Sequence, residues 1–300
     1  MIAEHHPLAR QPMHETQHPR RIRAAIDQIA DEPQLVAIAI TRLVQQAQQR
    51  LAVPMHIANR QNRHKNPRYN AAQKPVSYMN TLYNLLLHLL APLALLRLLY
   101  KSRQNPAYRR HLGERFARRL PPALPDSLWV HTVSVGEFLA IRPLLDRLLA
   151  TRPDRNLWLT CTTPTGRAQI AQYQAHHPQR VAYSYLPYDT VANSRRILAH
   201  IRPRALILME TEIWPNLIRC AARAGVPVIL TNARLSAKSL RGYYRYARRL
   251  LREPLAHLQV NAQTRNDARR FRKLGVPAAN ITITPNLKYQ TPPETPLPPD

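Results

Sequence analysis

Short apolar segments alternate with amphipathic ones between residues 127 and 289. The apolar segments predict strands at residues 128–135, 157–162, 181–186, 205–209, 226–230, 258–262 and 281–284. The intervening segments predict helices at residues 138–149, 166–175, 191–201, 217–224 and 267–274. Because strands that are apolar throughout and alternate with helices are typical of a parallel sheet covered on both faces, the pattern predicts an α/β, Rossmann-like fold. Ligands of such sheets bind beyond the carboxyl ends of the strands, so functional residues are expected there.

A leucine-rich run precedes this region, at residues 82–100. Its length is close to the roughly 20 residues that a membrane-spanning helix needs. Asn84, His88, Pro92 and Arg97 interrupt it, and several basic residues follow it. The run therefore favours a membrane anchor or an interfacial helix beside a cytoplasmic headgroup surface, and a buried core helix is the alternative.

The charge of the chain indicates anionic partners. Lysine and arginine number 44 against 17 aspartates and glutamates, a net charge of +27 over 300 residues. Most of this excess falls in the region predicted to fold. The arginines at positions 241, 245, 249 and 252 recur at helical spacing among tyrosines, which is compatible with nucleic acid, anionic lipid or a solvated face. Glycine-rich phosphate-binding fingerprints are missing from the sequence, and its two cysteines, Cys161 and Cys220, are expected to be buried thiols.

The first predicted strand leads into Ser134, Gly136 and Glu137 at the start of a helix. The glycine would let the backbone turn sharply. A carboxylate is stabilised by the free N–H groups of a helix start, and in this position it could also accept a proton from a substrate hydroxyl. Spacing alone leaves capping and catalysis both open for Glu137.

The ends of the next strands carry further polar residues. Thr163, Thr165 and Gly166 follow the second strand, where they could bind an anion or cap a helix. Asp189 follows the third and is predicted to be an N-cap. The fourth leads into Glu210.

Glu212 lies two residues further on, and two acids this close at a predicted crevice suggest a site. Arg234 follows the fifth strand, where a guanidinium could hold a carboxylate or phosphate, and Lys288 follows the last. The histidines, cysteines and acids do not have metal-ligand spacing, so no metal is expected.

Taken in order, the motifs resemble those of the 3-deoxy-D-manno-octulosonic acid (Kdo) transferase family. They are N-P-A-Y-R-R (105–110), G-E-R-F (113–116), W-V-H-T-V-S-V-G-E (129–137), T-P-T-G (163–166), L-P-Y-D (186–189), M-E-T-E-I-W-P-N (209–216), N-A-R-L-S (232–236) and N-L-K-Y (286–289). The resemblance covers about residues 79–289. Pro285 stands where the family usually has glycine, which could change the local backbone.

The resemblance implies the N-terminal, acceptor-binding domain of a GT-B glycosyltransferase. Such enzymes transfer Kdo from CMP-Kdo to the lipid A precursor, lipid IVA, at the cytoplasmic face of the inner membrane, with inversion and without a metal or other cofactor. The family's catalytic base falls on Glu137. Its other site residues fall on Glu210, Glu212 and Lys288.

The expected organisation has four parts. Residues 1–78 form an extension outside the family pattern, residues 79–126 a membrane-associated helix with a basic connector, and residues 127–289 the acceptor-binding domain. Residues 290–300 form a proline-rich linker to a donor domain that is expected to be missing, together with most of the CMP-Kdo site. The alternative is a noncatalytic, membrane-associated protein that binds lipid A precursor, and specific nucleic-acid binding is a weaker interpretation.

Overall fold

The computed structural model describes residues 78–284 and 286–287, and the elements named below belong to that part of the chain. The strands are β1 (Ser127–His131), β2 (Asn156–Cys161), β3 (Val181–Tyr185), β4 (Ala205–Met209), β5 (Val228–Ala233), β6 (Leu258–Ala262) and β7 (Ile281–Ile283). The helices are α1 (Tyr78–Ser102), α2 (Val135–Thr151), α3 (Pro164–His176), α4 (Val191–Ile201), α5 (Pro215–Arg223), α6 (Ala237–Gly242), α7 (Arg248–Ala256) and α8 (Arg265–Leu274). Short 3-10 turns lie at Pro106–Arg109, Glu114–Phe116 and Ala278–Asn280, and a π-turn at Tyr243–Ala247 joins α6 to α7.

The strands form one parallel sheet in the order β3-β2-β1-β4-β5-β6-β7. The predicted parallel α/β fold is therefore confirmed. Along β1 and β4, alternate residues enter the two apolar layers that cover the sheet: Trp129 and Leu206 face one layer, and Val130 and Ile207 the other. The chain leaves β1 toward β2 on one side and returns to pair β4 on the other, so the strand order reverses between β1 and β4. This topological switch point is where a parallel sheet opens a crevice for ligands.

Several predicted element boundaries move by a few residues. The strand predicted at 226–230 runs instead over Val228–Ala233, because Pro227 has no N–H to donate to the ladder. The helix predicted from residue 138 begins at Val135, because the Ser134 hydroxyl accepts the Glu137 N–H and caps it there.

The predicted arginine stripe does not lie along one regular helix. The π-turn at Tyr243–Ala247 interrupts the α-helical spacing that was assumed from Arg241 to Arg252. Because a π-helical turn has a wider period than an α-helix, the spacing of the four arginines does not by itself define one α-helical face. All four are exposed to solvent.

Helix α1 contains the leucine-rich run and is fixed to the domain by its first two turns. Over Asn80–Ser102 it is long and apolar enough to cross a membrane, with a mean hydropathy of 1.7. The Tyr83 hydroxyl donates to Asp189 Oδ2 at 3.0 Å, and Asn216 Nδ2 donates to Asn84 Oδ1 at 2.8 Å. These polar residues of the second turn therefore dock on the domain, while most of the leucines beyond them are exposed.

The prediction that Asp189 caps the helix following it is wrong. Thr190 caps α4, through a hydrogen bond from Asn193 N at 3.2 Å. The buried Asp189 carboxylate instead accepts the backbone N–H groups of Asn216 at 3.0 Å and Leu217 at 2.8 Å, at the start of α5. Asp189 therefore stabilises the start of α5 and not the helix that follows it in the chain. Sequence spacing could not show this contact.

Candidate functional site

The β1 side of the switch point presents Glu137 in the first turn of α2. Its Oε2 accepts the Val133 backbone N–H at 2.8 Å, and its Oε1 lies 3.5 Å from Ser134 Oγ. Ser134 in turn accepts the Glu137 N–H at 3.4 Å, so the two residues cap the helix reciprocally. These contacts fix a half-buried carboxylate at the mouth of the crevice, and they are compatible with both roles left open by the sequence.

The β4 side presents Glu210 and Glu212, whose side chains are 15% and 20% exposed. Glu210 adopts a left-handed backbone conformation, with φ of 52°, directly after the strand. Its backbone carbonyl accepts the Arg234 N–H at 3.3 Å, and its Oε2 lies 4.0 Å from Arg234 Nε. The Arg234 side chain is otherwise exposed, so this guanidinium stands at the rim of the crevice.

The acids of the two sides are electrostatically coupled. Burial raises the pKa of Glu212 to about 7, and the negative charges of Glu137 and Glu210 add to the rise, while Trp214 opposes it. Glu212 therefore holds a proton over much of the range below neutrality. Glu137 and Glu212 follow the adjacent, paired strands β1 and β4 at the same edge of the sheet.

His131 is a member of this cluster that the sequence analysis did not single out. Complete burial lowers its pKa to about 4, so the ring is neutral at pH 7. Its Nδ1 lies 3.1 Å from both the carbonyl oxygen and the hydroxyl oxygen of Thr160. Its Nε2 lies 3.9 Å from Glu212 Oε2. A histidine at the end of an otherwise apolar strand was the signal that could have identified it.

The loop after β2 lies beside the loop after β1, and its Thr163 caps the start of α3. Thr163 Oγ1 accepts the Gly166 N–H at 3.1 Å and lies 3.3 Å from the Thr165 hydroxyl. Thr162 Oγ1 donates to the Val133 carbonyl at 3.2 Å, which ties this loop to the loop that carries Glu137. Of the predicted site residues, Lys288 lies outside the described residues.

Gly136 and Gly166, in the first turns of α2 and α3, differ in how much space surrounds them. A Cβ on Gly166 would lie 3.0 Å from Thr163 Oγ1 and 3.4 Å from Cys161 Cβ, whereas on Gly136 the nearest such atom is Ser134 Oγ, at 4.0 Å. Gly136 lies inside α2 and makes no sharp turn, so that part of the prediction is wrong.

We expect Gly166→Ala to lower the free energy of unfolding by about 1–3 kcal/mol, because Thr163 cannot move aside without losing its capping bond. Gly136→Ala is the matched control in the first turn of α2. It should leave stability unchanged or raise it by up to about 1 kcal/mol, since alanine favours a helix over glycine. Urea denaturation measures both, and equal losses would contradict the packing difference.

The raised pKa of Glu212 predicts a pH dependence of stability. Because the folded state holds this proton more tightly than the unfolded chain, where the pKa is near 4.5, the stabilisation is complete below about pH 4.5 and is lost as the pH rises through 7. The wild-type Tm should therefore fall relative to that of Glu212→Gln between pH 5 and 8. Parallel Tm curves for the two proteins would contradict the assignment.

Comparison with known proteins places the chain in a family. The model described as 3-Deoxy-D-manno-octulosonic-acid transferase (kdotransferase) matches residues 110–291. The 3-deoxy-D-manno-octulosonic acid transferase of Bordetella pertussis is 40% identical over 218 residues, covering 69% of this chain and 49% of that protein. The Haemophilus influenzae protein of the same name is 33% identical over 219 residues, covering 69% and 48%. The chain thus spans about half the length of these curated relatives, and it belongs to the Kdo transferase family.

Proposed function

We propose that this chain supplies the acceptor side of a Kdo transferase, with Glu137 as the general base. The acceptor is a lipid A precursor such as lipid IVA, and the donor is CMP-Kdo. A sugar hydroxyl of the acceptor attacks the anomeric carbon of Kdo while the bond from that carbon to the CMP phosphate oxygen breaks. The hydroxyl proton passes to Glu137, and CMP leaves with the electrons of the broken bond. Because the hydroxyl attacks from the side opposite to CMP, the anomeric centre is inverted.

The observation that carries this proposal is the arrangement of Glu137 and Glu212 on opposite sides of the switch point. When their environments give two neighbouring carboxyl groups different pKa values, one group can accept a proton while the other holds one. Burial and the charge of Glu137 raise the pKa of Glu212 to about 7. In this proposal a protonated Glu212 donates a hydrogen bond to the substrate, and Glu137 remains as the base.

The remaining site residues are assigned to substrate binding. Glu210, Ser134 and Gly136 border the crevice, and Arg234 at its rim can pair with an anionic group of a substrate. Thr163, Thr165, Gly166 and Lys288 are further proposed acceptor-binding residues. The proposed reaction uses CMP-Kdo as a substrate and no metal or other cofactor.

The same proposal places the protein at the cytoplasmic face of the inner membrane. Helix α1 is the support for an apolar anchor, and the net charge of +27 suits an anionic membrane surface and a phosphorylated acceptor. Specific binding of nucleic acid is not part of this proposal.

A noncatalytic role in binding lipid A precursor is the second candidate. It is favoured by the contacts of Glu137 with Val133 and Ser134, which give that carboxylate a capping role independent of catalysis. This candidate predicts binding of the acceptor without turnover.

A transfer assay decides between the two. Purified chain is incubated with CMP-Kdo and lipid IVA, and mass spectrometry follows formation of the Kdo–lipid product. Because the curated relatives are about twice as long, a parallel sample fuses residues 1–291 to the second half of the Bordetella pertussis relative. Product formation that depends on both substrates supports the transferase. Acceptor binding without product in both samples would favour the noncatalytic role.

A further inference from the structure

A groove separates the inner face of α1 from the domain beneath it. Its volume is about 670 Å³, which is within the range of about 300–1,000 Å³ common for ligand sites. Leu87, Ala91 and Ala94 line its α1 side, and Phe116 is among the residues lining the domain side. We refer to this space as the α1 groove.

The α1 groove combines an apolar wall with cationic side chains. Arg118, Arg119 and Arg196 line it and are exposed to solvent. Arg196 Nη1 donates to the Phe116 carbonyl at 2.8 Å, which ties α4 to the segment that carries the other two arginines. An apolar channel with arginines beside it is complementary to an amphiphile with an anionic head.

Contacts on the domain fix the position of the helix that walls the groove. Tyr83 and Asn84 dock the second turn of α1 through Asp189 and Asn216. One helical turn further along, the helix no longer packs closely on the domain, and the groove occupies the space between them. The groove is thus framed by specific hydrogen bonds at the start of the helix.

We propose that the α1 groove binds one acyl chain of an anionic membrane phospholipid, with the lipid phosphate held by Arg118 and Arg119. The opposite face of α1 exposes Leu89 and Leu93, at 65% and 58%. A hydrocarbon phase that covers this outer face also reaches the groove beside it. A bilayer phospholipid is therefore the amphiphile with direct access to the groove.

This site is separate from the proposed acceptor crevice. Glu137 and Glu212 flank the gap between β1 and β4, and they are not among the groove-lining residues. The groove borders the segment that follows β3, and β2 lies between β3 and β1. A phospholipid here would fix α1 against the domain without occupying the position of the reacting hydroxyl.

The test counts bound lipid on the full 300-residue chain. Dioleoyl phosphatidylglycerol is supplied in neutral detergent micelles, and native mass spectrometry measures the bound fraction. We expect one phosphatidylglycerol per chain and at least about tenfold weaker retention in Ala94→Trp, which fills the groove. Leu93→Trp adds the same side chain to the outer face and should retain the lipid as the wild type does.

A second pair of variants tests whether the positive charges of Arg118 and Arg119 select the anionic lipid. Arg118→Gln with Arg119→Gln should remove the preference for phosphatidylglycerol over phosphatidylcholine. Arg269→Gln with Arg272→Gln, at exposed positions of α8, should leave that preference intact. Circular dichroism and Tm confirm that each variant is folded.

Three results would overturn the proposal. They are equal retention of the two lipids by the wild type, unchanged retention in Ala94→Trp, or loss of lipid IVA binding together with phosphatidylglycerol in Ala94→Trp. The last would assign the groove to the acceptor's own acyl chains. Because the measurement contains no transfer step, it stands or falls independently of the proposed catalytic activity.

Discussion

In the protein fused to the second half of the Bordetella pertussis relative, Glu137→Gln should slow Kdo transfer by about 10²- to 10⁴-fold, the usual contribution of a general base. Glutamine preserves the size of the side chain and can still accept the Val133 N–H, so the helix cap and the shape of the crevice are retained. What it removes is the capacity to accept the hydroxyl proton. The loss should appear in kcat, with the KM values for CMP-Kdo and lipid IVA changed little.

A matched control and a second measurement isolate this effect. Asp146→Asn changes an acid of the same helix, α2, that forms an exposed pair with Arg142 at 3.7 Å, and it should transfer at the wild-type rate. In Glu137→Gln the pKa of Glu212 should also fall, because one of the charges that raises it is gone. NMR titration of the Glu212 carboxyl carbon measures this. Wild-type transfer by Glu137→Gln would exclude it as the base.

The alternation of apolar segments was sufficient to predict the parallel sheet. Strands such as β4 and β6, which are bounded by clear polar residues, were predicted at the positions they occupy. The position of Glu137 in the first turn of a helix, at a strand end, was also predictable from Ser134 three residues before it.

Other features depend on residues distant in sequence, and local patterns do not contain them. The acid of G-E-R-F, Glu114, is buried because its Oε1 pairs with Arg167 Nη2 at 2.8 Å and its Oε2 accepts the Tyr185 N–H at 2.9 Å. These partners lie 53 and 71 residues away. The motif is thus explained by a tertiary contact that holds the end of β3, and helical or strand periodicity could not show it.

The polar positions at the start of α1 illustrate the same limit. Asn84 weakened the prediction of a membrane helix because amides are costly in hydrocarbon. In the structure it accepts a hydrogen bond from Asn216, 132 residues away, and Asn80 accepts one from Arg219 at 2.7 Å. The polar residues of the first two turns therefore dock α1 on the domain, whereas most of the leucines beyond them are exposed.

Asp189→Ala should lower the free energy of unfolding by about 3 kcal/mol at pH 7, because it leaves several buried donors without an acceptor. The carboxylate accepts the Tyr83 hydroxyl and the backbone N–H groups of Asn216 and Leu217, and only 4% of the residue is exposed. Tyr83→Phe removes one of these donors and should cost about 1 kcal/mol. Tyr108→Phe is its control: this ring lies under Lys101, with the ammonium 5.3 Å from the ring centroid.

A double-mutant cycle separates the direct contact from general destabilisation. If Tyr83 acts through Asp189, then Tyr83→Phe should cost little more once Asp189 is alanine. Additive losses in urea denaturation would show that the two residues act independently and would contradict this link between α1 and the domain.

The same substitution should also disturb the candidate site, because α5 begins at Pro215, three residues after Glu212. Asp189 holds the first turn of α5 through Asn216 and Leu217, so its removal frees the loop that positions Glu212 near His131. Hydrogen exchange at the Asn216 and Leu217 amides should accelerate at least about tenfold, while β2 amides change only with global stability. In Tyr108→Phe neither set should change. Uniform acceleration throughout the domain would mean that Asp189 contributes only to overall stability, and selective acceleration at α5 would show that it holds the start of this helix, next to the Glu212 loop.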